Sequence, residues 1–171
     1  MTNKAEHKED NAPLPMLEKR RIEAAIIKNV FDVLEDRHGR KEAEEVISEA
    51  VIKSAIEQGK EFRAKHDGVP DLEDFAALSS LWEMGGVLER DILVKTPERY
   101  EFNMVRCGYA DMYREMGLSD IGHLLSCNRD GTFCVGYNPD MKLTRTQTIM
   151  KGANHCDFRY RMEKDSKEED E

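Results

Sequence analysis

The chain has no apolar run long enough to cross a bilayer, which takes about 20 such residues in a helix. Its opening stretch, MTNKAEHKEDNAPLP, contains no apolar core, so no secretion signal is expected. Basic residues are not in excess, with 26 Lys and Arg against 35 Asp and Glu. That balance argues against nucleic acid as a partner, and the missing spans argue against a membrane. Cysteine is scarce. There are four in 171 residues, and none forms a Cys-x-x-Cys pair. Reduced thiols, no disulfide and a cytoplasmic location are therefore expected. No internal repeat or long low-complexity segment is present.

What remains is a globular composition, 39% apolar and 36% charged, with net charge −9. A chain of this length supports one domain with a real core. The charge is unevenly spread. Residues 1–97 carry 15 basic against 21 acidic side chains, whereas residues 98–162 carry 9 against 8. The expected organisation is a disordered arm over 1–13, one α+β domain over 14–162 and an acidic disordered tail over 163–171.

Apolar spacing divides the domain. Ile22, Ile26, Val30, Val33 and Leu34 recur at helical intervals between Leu14 and His38, and Gly39 is a plausible stop. A second amphipathic helix spans Arg40 to about His66, with Ala43, Val46, Ile47, Ala50, Val51, Ala55 and Phe62. Pro70-Asp71 opens a third helix, which carries Leu72, Phe75 and Trp82 and ends at Gly85-Gly86. The period then changes. VLERDILVK and RYEFNMVRC read as two strands, with Tyr100, Phe102 and Met104 on one face. Two short helical stretches follow, the second ending near Cys127 and Asp130, which then share a face. MKLTRTQTIMKG and HCDFRYRME complete a mostly antiparallel sheet of about four strands, packed by the N-terminal helices. On the first of these last strands Arg145 and Gln147 share a side, with Thr144, Thr146 and Thr148 opposite. On the second, Asp157 faces away from Cys156.

The stretch from Val105 to Tyr160 carries an ordered set of motifs. Arg106-Cys107-x-Tyr109-Ala110 comes first, then Gly117-Leu118 and Cys127-x-x-Asp130. Pro139 lies in a loop, Arg145-x-x-Thr148 follows, and Gly152-x-x-x-Cys156-Asp157-Phe158 closes the series. This third of the chain resembles the L-2-amino-thiazoline-4-carboxylic acid hydrolase family. The resemblance implies a hydrolase that opens a small cyclic amidine or amide by adding water at the carbon between its heteroatoms. A thiolate could attack that carbon first, or a carboxylate could activate water. Cys127, Cys156 and Asp130 are the candidate catalytic groups. Arg145, with Arg106 as the other choice, is suited to hold a carboxylate in its planar fork. Cys107, Tyr109 and Asp157 complete the candidate substrate-binding set.

Each residue also has a plainer role. A free cysteine is often a small buried hydrophobe, as is expected of Cys134, which lies outside the motif set. Asp130 could merely form a turn before Gly131, Asp157 could pair with a strand neighbour and Arg145 could make a cross-strand ion pair. Tyrosines suit an amphipathic core. Zinc is a further expectation, if Cys107, Cys127 and Cys156 converge with Asp130 or His155. The closing Gly-x-x-x-Cys-Asp-Phe segment also resembles vinyl-reductase-like small-molecule-binding domains. That likeness implies a sensor or binding module without turnover, with a pocket lined by Trp82, Phe102, Phe133 and Phe158. On either reading the partner is a small molecule.

Overall fold

A computed structural model describes residues 13–163. Residues 1–12 of the predicted arm and 164–171 of the predicted tail lie outside the described residues. Two long helices come first, α1 (Met16–His38) and α2 (Arg40–Arg63). Gly39 joins them at φ 86°, a backbone that costs glycine little, and its N–H reaches back to Glu35 O at 2.9 Å. The third helix expected from sequence is two short ones, α3 (Leu72–Ala77) and α4 (Ser79–Glu83). Asp71 starts α3 through a capping box with Asp74, satisfying two otherwise orphaned backbone donors.

Strands β1 (Leu88–Lys95) and β2 (Arg99–Cys107) follow, then α5 (Gly108–Glu115). A π-helical turn (His123–Cys127) runs directly into α6 (Asn128–Tyr137), and β3 (Met141–Thr144) and β4 (Cys156–Met162) close the fold. The strands form one antiparallel sheet in the order β1-β2-β4-β3, as the α+β reading expects. Tyr100, Phe102 and Met104 lie opposite Tyr160, Phe158 and Cys156. Because side chains alternate along a strand, this face is the aromatic half of the core.

Three expectations are corrected. First, α1 does not bury the stripe read from its sequence. Ile22, Ile26, Val30 and Val33 are 60%, 67%, 45% and 48% exposed, while Met16, Arg20, Ala24 and Phe31 are buried. The helix carries two apolar stripes, and it packs by the one whose Ala24 joins Ala43, Ile47 and Val51 in the core. Second, the helix through Cys127 and Asp130 does not end there but continues to Tyr137. Of the glycines beyond Asp130, Gly136 is a packing site: a Cβ on it would overlap Ile56 O on α2, just as one on Gly59 of α2 would overlap Phe133 O on α6. Third, β3 stops at Thr144 and does not run on through Gln147. The Asp157 carboxylate accepts from the backbone N–H groups of Thr146 and Gln147 at 3.0 and 2.9 Å, so these donors are satisfied by a side chain instead of a strand partner.

The core has two parts. One joins α1, α2, α5 and the turn before α6; the other joins the sheet, α3 and α6. Trp82, Leu88 and Cys107 pack against both, and the candidate site lies in this zone. No described helix is long and apolar enough to cross a membrane.

Candidate functional site

A cavity of about 140 Å³ separates the sheet from the helices. Cavities of roughly 150 Å³ hold one benzene-sized ring, so the space suits a single small ring with its substituents. Trp82, Phe102, Phe133 and Phe158, the aromatic quartet expected from sequence, all line it. Phe102 and Phe158 stack at 4.7 Å between centroids across the β2–β4 pair.

The chemistry-bearing residues converge as the Cys-x-x-Asp motif and the β4 parity imply. Cys107, Cys127, Asp130, Arg145 and Cys156 all line the cavity. Cys107 ends β2, and Cys156 begins β4. Cys127 closes the π-helical turn, with Asp130 one helical turn later. π-turns are rare and recur at functional sites. Arg145 emerges just beyond β3. Its Nη1 donates to Asp130 Oδ2 at 2.5 Å, and its Nη2 donates to the Cys127 carbonyl at 3.1 Å. The guanidinium lies over the Phe158 ring, 4.8 Å from the centroid, in a cation–π contact.

Electrostatics separate these groups. Burial, with some help from Asp130, pushes the Cys127 thiol up to about 12, and burial pushes Cys107 up to about 11. Cys156 is raised by burial as well, although its sulfur accepts from Ile149 N–H at 3.2 Å. All three thiols are therefore neutral at pH 7. Burial also raises Asp130, outweighing the attraction of Arg145. A third of the Asp130 side chain stays accessible. A carboxyl lifted above its usual range and lining a cavity has the profile of a proton-transfer group. Arg145 is held charged: burial lowers it, but Asp130 outweighs that and the net shift is upward.

Tyr109 also lines the cavity, and its hydroxyl donates to Trp82 O at 3.0 Å. Asp157 does not belong to this site. It lies on the outer face of β4, where its carboxylate secures the loop after β3. Burial raises it, but the Thr146 and Gln147 donors outweigh that and hold it below the usual carboxylate range. Arg106 is likewise directed elsewhere, donating to Gly86 O at 2.8 Å. His155 contacts Gln147 and Asn154 outside the cavity. Among the described residues no three His, Cys, Asp or Glu side chains are placed to hold a metal ion. The zinc set of Cys107, Cys127 and Cys156 with Asp130 or His155 thus does not assemble among the described residues. The four sulfurs are unbridged.

Several cavity residues were not anticipated. Arg90 on β1 pairs with Glu83 at 2.5 Å and bonds Ser79 and Tyr100. Arg20 from α1, Gln58 from α2 and Arg129 from α6 also line the wall. Arg129 stands inside the Cys127-x-x-Asp130 motif itself, so its position was the available signal. Arg20 had a weaker one, its one-turn spacing from Met16 and Ala24 on α1.

The sequence pattern of the L-2-amino-thiazoline-4-carboxylic acid hydrolase family matches residues 19–160. The chain belongs to that family. Its match extends through both N-terminal helices, well beyond the third of the chain whose motifs are legible. No curated protein matches the chain in sequence. Among solved structures it is similar to the phenol-responsive sensory domain of the transcription activator PoxR, crystallised with phenol. The identity is 16% and the TM-score 0.48, with 84% of this chain and 74% of that chain covered. At that distance the likeness bears on neither ligand nor activity.

Proposed function

We propose that this chain hydrolyses a small cyclic amidine or amide in the cavity, with Asp130 as the proton acceptor. One observation carries the reading: a carboxyl raised by burial lines a ring-sized cavity beside Cys127 and Cys156, and its pairing with Arg145 fixes its position. In the step, a water oxygen bonds to the amidine carbon while Asp130 takes its proton. A ring C–N or C–S bond then breaks, and the proton passes to the departing heteroatom. The neutral thiols of Cys127 and Cys156 supply weak S–H donors and a tight wall. Their protonated state disfavours a resting thiolate nucleophile, so direct activation of water is preferred over covalent catalysis.

The test is turnover on a panel of cyclic amidines and amides that includes 2-amino-thiazoline-4-carboxylate. Asp130→Asn should lower kcat at least about 100-fold, the lower end for loss of a general base. Cys127→Ser should keep a tenth or more of the activity. The wild-type rate should fall on the acid side as Asp130 protonates, with an inflection above that of an ordinary aspartate. If Cys127→Ser abolishes turnover and Asp130→Asn does not, the sulfur is the nucleophile and the assignment is reversed.

A second reading has its own support. The aromatic lining and the neutral thiols equally suit a binding module that holds a small ring and releases it unchanged. Saturable binding of single-ring compounds, with no turnover of any panel member, would favour that reading.

A further inference from the structure

Only one of the two apolar stripes on α1 is packed. On the open side Ile22, Ile26, Val30 and Val33 are 60%, 67%, 45% and 48% exposed, while Ala24 and Phe31 on the far side are buried. Single exposed apolar residues are ordinary, but a contiguous row of large ones marks an interaction surface. This row has the spacing of a seam between two helices. Lys19, Ile22, Ile26, Asn29, Val33 and Asp36 follow one another at intervals of 3, 4, 3, 4 and 3 residues, the alternation of a coiled-coil repeat. Val30 widens the row on one flank. Asn29, the polar residue within it, already donates its amide to Ala25 O at 3.1 Å.

The intervals read the same from either end. Turned end for end, the row meets a copy of itself in register, Ile22 against Val33 and Ile26 against Asn29. Its two ends carry opposite charges, so this antiparallel alignment sets Lys19 of each copy against Asp36 of the other. A parallel alignment would stack Lys19 on Lys19 and Asp36 on Asp36. Both are exposed, and among the described residues neither has an ion-pair partner. Their neighbours Glu18, Glu23 and Asp32 are already paired along the helix, with Arg21, Arg20 and Lys28. We propose that a second copy of this chain covers the stripe, the two α1 helices pairing antiparallel about a two-fold axis with Lys19–Asp36 pairs at both ends. Such isologous two-fold pairs are the commonest closed assemblies. From Lys19 to Asp36 the seam is about 27 Å long, at the small end for interfaces, since stable ones bury about 1,200–2,000 Å². The dimer is therefore weak, with a micromolar dissociation constant. Arg20, which lines the cavity, lies on the other side of α1, so pairing leaves the cavity of each copy untouched.

The experiment is sedimentation equilibrium of the full chain from about 1 μM to about 300 μM, which brackets a micromolar dissociation constant. Wild-type protein should pass from monomer to dimer across that range. Ile26→Glu should stay monomeric throughout and keep its thermal midpoint, because the side chain it replaces is 67% exposed. Lys19→Glu should weaken association roughly tenfold, since it turns both end pairs from attractive to repulsive. Lys19→Glu combined with Asp36→Lys restores the pairs in reverse and should recover the wild-type affinity. In a parallel dimer the exchange would recover nothing. A wild-type chain that stays monomeric would assign the stripe to another segment or another protein and overturn the proposal. A dimer that survives Ile26→Glu, or a charge exchange that fails to recover what the single reversal lost, would overturn it as well. The wild-type measurement stands even if a variant fails to fold.

Discussion

Arg129 and Asp130 are neighbours on α6, and they belong to groupings of opposite character. Asp130 and Arg145 neutralise each other at 2.5 Å, and Arg145 is further held by a carbonyl and an aromatic ring. Arg129 and Arg20 instead share one carboxylate, Glu23, which Arg20 holds at 2.6 Å and Arg129 reaches only at 3.4 Å. The first grouping is complete without a ligand and reads as machinery. The second opens toward solvent, where Glu57 and Glu61 line the same opening as both arginines. The difference teaches that burial of a charged residue says little by itself; what decides is how closely its counter-charge is held.

The largest expected effect tests that contrast through stability. Arg145→Met should cost about 3 kcal/mol, because it strands the raised Asp130 carboxyl, and losing one partner of a buried pair costs roughly 3–5 kcal/mol. Arg129→Met should cost less than about 1 kcal/mol, or stabilise, since an apolar side chain of similar length replaces a poorly compensated charge. Urea denaturation of the two variants measures the difference. Equal losses would mean that Arg129 is as well matched as Arg145, and the contrast would collapse.

A smaller effect concerns the thiols on the compensated side. Cys127 and Cys107, lifted to about 12 and about 11, should alkylate with iodoacetamide at pH 8 at least about tenfold more slowly in the folded protein than after denaturation, because thiolate is the reactive form. All four cysteines should then react in the unfolded chain. The sign of the pH dependence follows. The folded state holds these protons more tightly, so their contribution to stability is intact below the unfolded thiol value near 9 and is lost as pH rises through the folded values. One fast-reacting thiol in the folded protein at neutral pH would revive covalent catalysis and move the chemistry from Asp130 to that sulfur.

Sequence period carried much of this fold. The change of spacing after Gly85-Gly86 located the sheet, and the alternation of Tyr100, Phe102 and Met104 identified its inner face. Strand parity also placed Asp157 opposite Cys156, and the structure sends it out of the cavity accordingly. The motif order brought Cys127, Asp130, Arg145 and Cys156 to one place. What stayed hidden depends on packing between distant segments. Glycine within Asn128–Tyr137 reads as a helix breaker, and only the close approach of α2 reveals it as a contact surface. Two apolar stripes on α1 cannot be ranked without knowing which neighbour arrives. The Arg20–Arg129 grouping joins residues more than a hundred positions apart, and the Arg90–Glu83 pair lies outside every motif.

The smallest effect is expected at Cys134, on the same helix as both groupings and fully buried in the aromatic core. It does not line the cavity, and its sulfur donates weakly to the Asp130 carbonyl at 3.8 Å. Cys134→Ser should leave turnover within about twofold of wild type. The introduced hydroxyl can donate to that same carbonyl one turn back, a bond helices tolerate with slight bending. Stability should fall by about 1 kcal/mol, the lower part of the range for burying a hydroxyl in an apolar site. A large loss of activity without loss of stability would show that the backbone at Asp130 moves with this contact. The carboxylate's position would then depend on the aromatic core behind α6 as well as on Arg145.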